Sequence, residues 1–285
     1  MTTGQIILNA YAVALFCVGT FLWVRYFTSG QRPVNHINTW AISSLDFGIL
    51  TWALLGVILV SQTAAEPILR ATKLDTPAWR AFVASACMHG GILLLLLVAY
   101  LKKKELIYRG MSAYRLSVIQ AFFHGVFGFI MAMPVLWITS KAWQLFLKTF
   151  YSLGVDFTAN PQTLVEIIVE TSDRWPVLFM GILAIGIAPI TEEIVFRGLL
   201  YRYFKSRIKP GPALLLSSLL FACMHFNLLS FLPLFIFGLL LGRNYERTGS
   251  IKTPIFVHAL FNANTYLILL IQPEAVEGIG MLTLF

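Results

Sequence analysis

Apolar residues run through this chain in long blocks separated by short polar stretches, and the length of the blocks sets the first expectation. A helix needs about 20 mostly apolar residues to cross a hydrocarbon core. Blocks of that kind fall near residues 5–27, 43–62, 81–101, 117–139, 174–200, 212–231, 232–248 and 253–272. They predict an all-α, polytopic membrane protein of about eight transmembrane helices. Between the fourth and fifth blocks, residues 140–173 are amphipathic. Trp143, Phe146, Leu147 and Phe150 follow helical spacing, as do Leu164, Ile167 and Ile168, and Asn160-Pro161 divides the two sets. Interfacial helices fit both. The block from Ile6 to Phe27 has no basic leader and no small-residue cleavage site, so it reads as a retained helix and not as a signal peptide.

Composition agrees with lipid as the solvent. Of 285 residues, 58% are hydrophobic and 12% charged, where a soluble domain carries about 25% charge. Disorder, fibrous repeats and an ordinary soluble enzyme are excluded. The net charge of +8 would suit nucleic acid if it formed a basic face on a polar domain, but it is distributed otherwise. Fourteen Lys and Arg residues follow the odd-numbered blocks and six follow the even-numbered ones. That asymmetry is the positive-inside pattern. It predicts a multi-pass cell-membrane protein with both termini away from the cytoplasm, the lipid bilayer as partner and no nucleic acid. Cys17, Cys87 and Cys223 all lie inside apolar blocks and read as small buried hydrophobes, with no disulfide framework.

Against that background, ionisable groups at membrane depth stand out, because each costs several kcal/mol unless paired or hydrated. Three clusters qualify. In Thr191-Glu192-Glu193-Ile194-Val195-Phe196-Arg197, Pro189 is expected to break or kink the incoming helix. Thr191 would then cap a new helix with both glutamates in its first turn. Glu193 and Arg197 are four apart and can pair, while Glu192 projects about 100° away without that partner. In the sixth block Phe221 and His225 share a helix face. In the eighth, His258 and Asn262 share another. Each cluster alone also fits a plain reading: solvated charges at a helix start, a packed histidine, a polar stripe bonded to a neighbouring helix. His89 and His124, which have no carboxylate or amide motif around them, are read as structural.

Together the three clusters supply two histidines, an amide and a carboxylate pair on three helices, enough to line one polar chamber. Glu192 and His225 can hold and deprotonate a water, and His258 and Asn262 can donate to charge developing on a carbonyl oxygen. The same inventory fits zinc, with Glu192, His225 and His258 as ligands and an open water position. No H-E-x-x-H is present, and spacing leaves the metal-dependent and metal-free schemes both open.

At these residues the chain resembles the CPBP family of prokaryotic membrane proteins, which includes CAAX-type proteases and bacteriocin-processing or immunity proteins. The pattern is E-E-x-x-x-R, F-x-x-x-H and H-x-x-x-N, carried here by Glu192, Glu193 and Arg197, by Phe221 and His225, and by His258 and Asn262. The resemblance covers about residues 174–272, expected as the catalytic membrane core, and leaves 1–160 as variable transmembrane helices. It implies an intramembrane endopeptidase acting on a membrane-anchored or hydrophobic protein or peptide substrate, with its site opening toward the cytoplasm. It assigns Glu192 with His225 to water activation, His258 and Asn262 to the oxyanion, and Glu193, Arg197 and Phe221 to support. A non-catalytic immunity or partner-binding protein on the same scaffold is the alternative. A proton-coupled transporter would be expected to show inverted repeats, and none is visible. One tension remains. Glu192 and His258 fall near the cytoplasmic ends of their blocks, whereas His225 lies about 20 Å along the sixth. A misplaced block boundary is expected.

Overall fold

The computed structural model describes residues 3–29, 37–40, 42–102, 111, 116–153 and 171–271. Eight helical rods account for them: α1 (Thr3–Thr28), α2 (Ser44–Thr72), α3 (Pro77–Lys102), α4 (Val118–Ser152), α5 (Arg174–Lys205), α6 (Pro210–Cys223), α7 (Phe231–Thr248) and α8 (Lys252–Ile271). No strand occurs among the described residues. Six of the rods are long and apolar enough to cross a membrane, and the protein is an all-α, multi-pass membrane protein. The other two differ for visible reasons. Helix α6 has only 14 residues, and α7 carries Arg243, Glu246 and Arg247 in its last two turns.

Local signals explain several of the boundaries. Ser43 caps α2 by accepting from Asp46 N–H, and Ser117 and Gln120 form a reciprocal capping box at α4. Pro210 opens α6, where a missing N–H costs nothing. Gly249, at φ 64°, closes α7 in the left-handed conformation that glycine adopts without strain.

Two expectations are corrected. Residues 140–152 are no separate amphipathic piece but the last turns of α4. No Gly or Pro occurs between Pro134 and Leu153, so nothing stops the helix, which at 35 residues reaches about 50 Å. Leu164, Ile167 and Ile168 lie outside the described residues. Second, Pro189 does not break the chain into two helices. Helix α5 runs on through two π-type stretches, Leu183–Ile187 and Ile194–Tyr201. The first widens the turn just before Pro189, which absorbs both the missing donor and the ring's clash with the preceding carbonyl. Thr191 is therefore not a cap, and Glu192 and Glu193 are not in a first turn.

The core is built where α4, α5, α6, α7 and α8 meet. Phe129, Met133 and Leu136 pack with Met180, Phe196, Phe221, Phe237, Leu241, Val257 and Phe261. Burial of the apolar windows separates centre from rim: 50% for α4 and 56% for α8, against 6% for both α1 and α2. Contact between α4 and α8 is backbone-close, since a Cβ on Gly125 would fall 2.5 Å from Phe256 Cβ. Small residues at such crossings let membrane helices approach.

Candidate active site

The polar residues collect inside this apolar core. Glu193 is fully buried on α5. Its Oε1 accepts from Arg197 Nη1 at 2.8 Å, one turn on, and from His258 Nδ1 of α8 at 2.9 Å. A carboxylate only accepts, so the proton on this side of His258 sits on Nδ1 and the Nε2 edge is turned elsewhere. It faces Glu192, whose Oε2 lies 3.9 Å away. That is too long for a direct hydrogen bond and within the span one bridging water covers.

Arg197 is equally buried. Its second terminal nitrogen donates to the Gly238 carbonyl of α7 at 3.2 Å, and its guanidinium lies 4.4 Å above the Phe221 ring. Gly238 is required there: a Cβ would meet Ser218 Cβ of α6 at 2.9 Å and wedge the two helices apart. Phe221 serves three partners, since its ring also packs edge-on to His225 at 4.8 Å and His258 at 5.8 Å. Phe237 closes the other side of His258 at 5.4 Å.

His225 sits just past the last residue of α6, Cys223, and not inside a long sixth span. Its Nδ1 lies 2.7 Å from the Phe221 carbonyl. A carbonyl accepts, so Nδ1–H donates and Nε2 of the neutral ring holds the free lone pair. His225 is half-buried and lies within electrostatic reach of Glu192, His258 and Arg197. Asn262 of α8 donates Nδ2 to the Ala184 carbonyl at 2.8 Å. That bond falls in the first π-type stretch of α5. Asn262 Oδ1 and Glu192 Oε2 are both buried without a hydrogen-bond partner. Buried oxygens without a partner in an apolar core are costly.

The depth tension resolves at its boundaries. Helix α5 extends to Lys205, placing Glu193 twelve residues, about 18 Å, inside its basic end. Helix α6 spans about 21 Å from the same end to His225. The two motifs meet because the fifth helix runs farther toward the basic end than its apolar block indicated, which sets Glu193 about as deep as His225.

One polar residue beside this cluster was read as structural. His89 of α3 is buried, with Nδ1 2.7 Å from Thr191 Oγ1, and it lies within electrostatic reach of Glu192 and His258. No local motif marks it, because its partners come from another helix about a hundred residues away. Only the presence of histidine in an apolar helix was available as a signal. For a metal the donors do not converge. Among the described residues no group of three or more His, Cys, Asp or Glu side chains is placed to hold an ion. Nδ1 of both His225 and His258 is engaged with a carbonyl or carboxylate oxygen, which leaves Nε2 of each ring free.

Comparison with known proteins bears on the second half of the chain. Residues 174–264 match the family model described as type II CAAX prenyl endopeptidase Rce1-like. An uncharacterized 24.3 kDa protein of Escherichia coli is 35% identical over 89 residues, covering 29% of this chain and 41% of that protein. The UPF0177 protein YbdI of Lactococcus lactis subsp. lactis (strain IL1403) is 34% identical over 88 residues, covering 30% and 47%. Both alignments thus span less than half of the relative's length. No solved structure matches. Helices α5 to α7 and the first part of α8, which carry every residue of the Glu192–His225–His258 cluster, are the region that matches this Rce1-like model, consistent with the CPBP family of intramembrane proteases.

Proposed function

We propose that the protein is an intramembrane endopeptidase that hydrolyses peptide bonds of membrane-anchored or hydrophobic substrates at the Glu192–His225–His258–Asn262 cluster. The observation that carries this reading is the buried gap between Glu192 Oε2 and His258 Nε2, 3.9 Å wide, with the unpartnered Oδ1 of Asn262 on the same helix as His258. A fixed polar gap inside an apolar core is what a water-activating site requires. Its hydrogen-bonding groups are held in place before substrate arrives and act in a low dielectric.

Water held by Glu192 and His225 Nε2 gives up a proton as its oxygen bonds to the scissile carbonyl carbon. His258 in its imidazolium form, with Nδ1–H on Glu193, donates Nε2–H to the resulting oxyanion, and the second N–H of Asn262 Nδ2 donates to it as well. Collapse of the tetrahedral intermediate breaks the C–N bond, and the proton held by Glu192 passes to the departing amine. Glu193, Arg197 and Phe221 keep the two histidines in register. Residues 174–272 supply the chemistry and 1–160 the frame around it. With the basic loops toward the cytoplasm, the site opens on that side. The family match nominates the probe, a fluorogenic peptide ending in a farnesylated CAAX sequence.

Glu192→Gln keeps the shape and removes the base. It is expected to lower turnover of that peptide, or of the endogenous substrate found by comparing membrane-protein termini, by about 10²–10⁴-fold. Full activity of purified Glu192→Gln would overturn the reading. A biological role that survives this substitution unchanged would instead favour a non-catalytic binding protein on the same scaffold.

A further inference from the structure

The matched domain does not hold its glutamate alone. Thr191, immediately before Glu192, lies in the short α-helical segment Ala188–Glu193 between the two π-type stretches. There the regular ladder of backbone hydrogen bonds is interrupted on both sides. Turns of this kind are intrinsically less stable than α-helix and persist where surrounding structure holds them. Two sets of contacts hold Thr191. Its hydroxyl bonds back to the Ala188 carbonyl at 2.9 Å and lies 3.2 Å from that of Ile187. From outside, His89 of α3 places Nδ1 2.7 Å from the same oxygen. A hydroxyl has one proton. With that proton on the Ala188 carbonyl, Thr191 Oγ1 accepts and His89 Nδ1–H donates. Both side chains are buried, at 5% and 0% exposure, so water cannot replace the bond. His89 is also near enough to Glu192 and His258 to feel both electrostatically.

We propose that His89 is a positioning residue for the site: by clamping Thr191 from α3, it fixes the turn of α5 from which Glu192 projects. His89 lies well outside residues 174–264, so the N-terminal helices complete the site and do more than surround it. This inference rests on Glu192 as the base, and it is separable from that reading because the clamp can be measured without catalysis.

The substitutions follow from which ring nitrogen matters. His89→Asn keeps an N–H near the position of Nδ1, His89→Gln moves it toward that of Nε2, and His89→Leu removes it. Hydrogen–deuterium exchange of the purified full-length protein in detergent reads the clamp directly. Amides of 187–195 are expected to exchange at least tenfold faster in His89→Leu and Thr191→Val, and close to wild-type rates in His89→Asn. With the farnesylated peptide, kcat is expected to fall 10- to 100-fold in His89→Leu with KM within twofold, and to recover in His89→Asn. The His89→Leu/Thr191→Val pair should lose no more than the worse single variant, because both remove one bond. Unchanged exchange over 187–195 in His89→Leu overturns the proposal. So does equal behaviour of His89→Asn and His89→Leu, recovery by His89→Gln alone, or losses that multiply in the double variant. If His89→Leu fails to fold, Thr191→Val against Thr191→Ser makes the same distinction from the other side of the bond. Retained activity in Glu192→Gln would mark failure of the underlying function, whatever the exchange data show.

Discussion

Glu192 and Glu193 are adjacent in the chain and opposite in circumstance. Glu193 is fully buried with Oε1 held by both Arg197 and His258, while Glu192 keeps a quarter of its side chain open and reaches His258 only at 3.9 Å. The 100° turn between consecutive helical residues does this: one side chain faces Arg197 and His258 Nδ1, and the other the Nε2 edge of His258. That division was legible, because i, i+4 spacing pairs Glu193 with Arg197 and leaves its neighbour over. What spacing did not reveal is that Glu193 also holds His258, because that contact joins residues 65 apart on different helices. Breaking a buried pair by removing one partner leaves an uncompensated charge, which costs about 3–5 kcal/mol. Arg197→Met is therefore expected to lower the unfolding midpoint sharply in detergent. The double variant Arg197→Met/Glu193→Gln, with no stranded carboxylate, should recover part of the loss. A double variant less stable than Arg197→Met would show that the stranded charge was not the cause.

At the scale of elements, the fold departs from the hydropathy pattern where the backbone changes character without changing composition. Apolar blocks mark how much chain is buried in lipid. They do not mark π-type turns, which leave the hydrophobic content untouched and merely alter which carbonyl each N–H reaches. Helix α5 runs five residues past its apolar block to Lys205, and it stays helical through Glu193 and Arg197 because the two pair one turn apart while His258 of α8 bonds the same carboxylate. Helix α4 is longer for a simpler reason, the lack of a breaker after Pro134. Its extension has a consequence for the site. Trp143, in the part of α4 that reads as amphipathic, donates Nε1 to the Leu228 carbonyl at 2.8 Å. Leu228 belongs to the connection that follows His225, where Phe226 takes φ 48°, a left-handed conformation that is uncommon for a bulky side chain. Trp143→Phe keeps the ring and removes the donor, at a cost of about 0.5–1.5 kcal/mol. The expected outcome is faster hydrogen exchange confined to residues 224–230 and a several-fold loss of peptidase activity, with the global unfolding midpoint shifted by only a few degrees. Unchanged exchange across that connection would show that Trp143 does not brace it.

For the molecule as a whole, the connections sort into two ends. At one end the segment between α1 and α2 is strapped onto the end of α5. Trp40 N–H donates to the Arg202 carbonyl, Arg202 Nε to that of Asn38, and Lys205 Nζ both to Ile37 O at 2.7 Å and to Glu246 at 2.5 Å. Nearby, Tyr245 of α7 donates to the Met111 carbonyl, Lys252 donates to that of Leu116, and Arg243 to Tyr26. The connections after α1, α3, α5 and α7 therefore gather at one end. Those after α2 and α6 lie at the other, where Trp79 of α3 donates to Asp173 and Trp143 to Leu228. Eight rods in alternation produce this, and it requires α6 and α7 to reverse direction like the rest although neither passes as a span by length and composition. The gathered end is also the one whose loops hold most of the Lys and Arg, the pattern from which its cytoplasmic placement is proposed. In a background with Cys17, Cys87 and Cys223 replaced by alanine, a cysteine at the exposed Lys209 should react with a membrane-impermeant maleimide in inverted vesicles and stay unreacted in intact cells. A cysteine at Asp75, in the α2–α3 turn at the opposite end, should do the reverse. Reaction of both from one side would refute the alternating arrangement. Exchanged reactivity would keep the arrangement and invert the protein, turning the Glu192 chamber away from the cytoplasm.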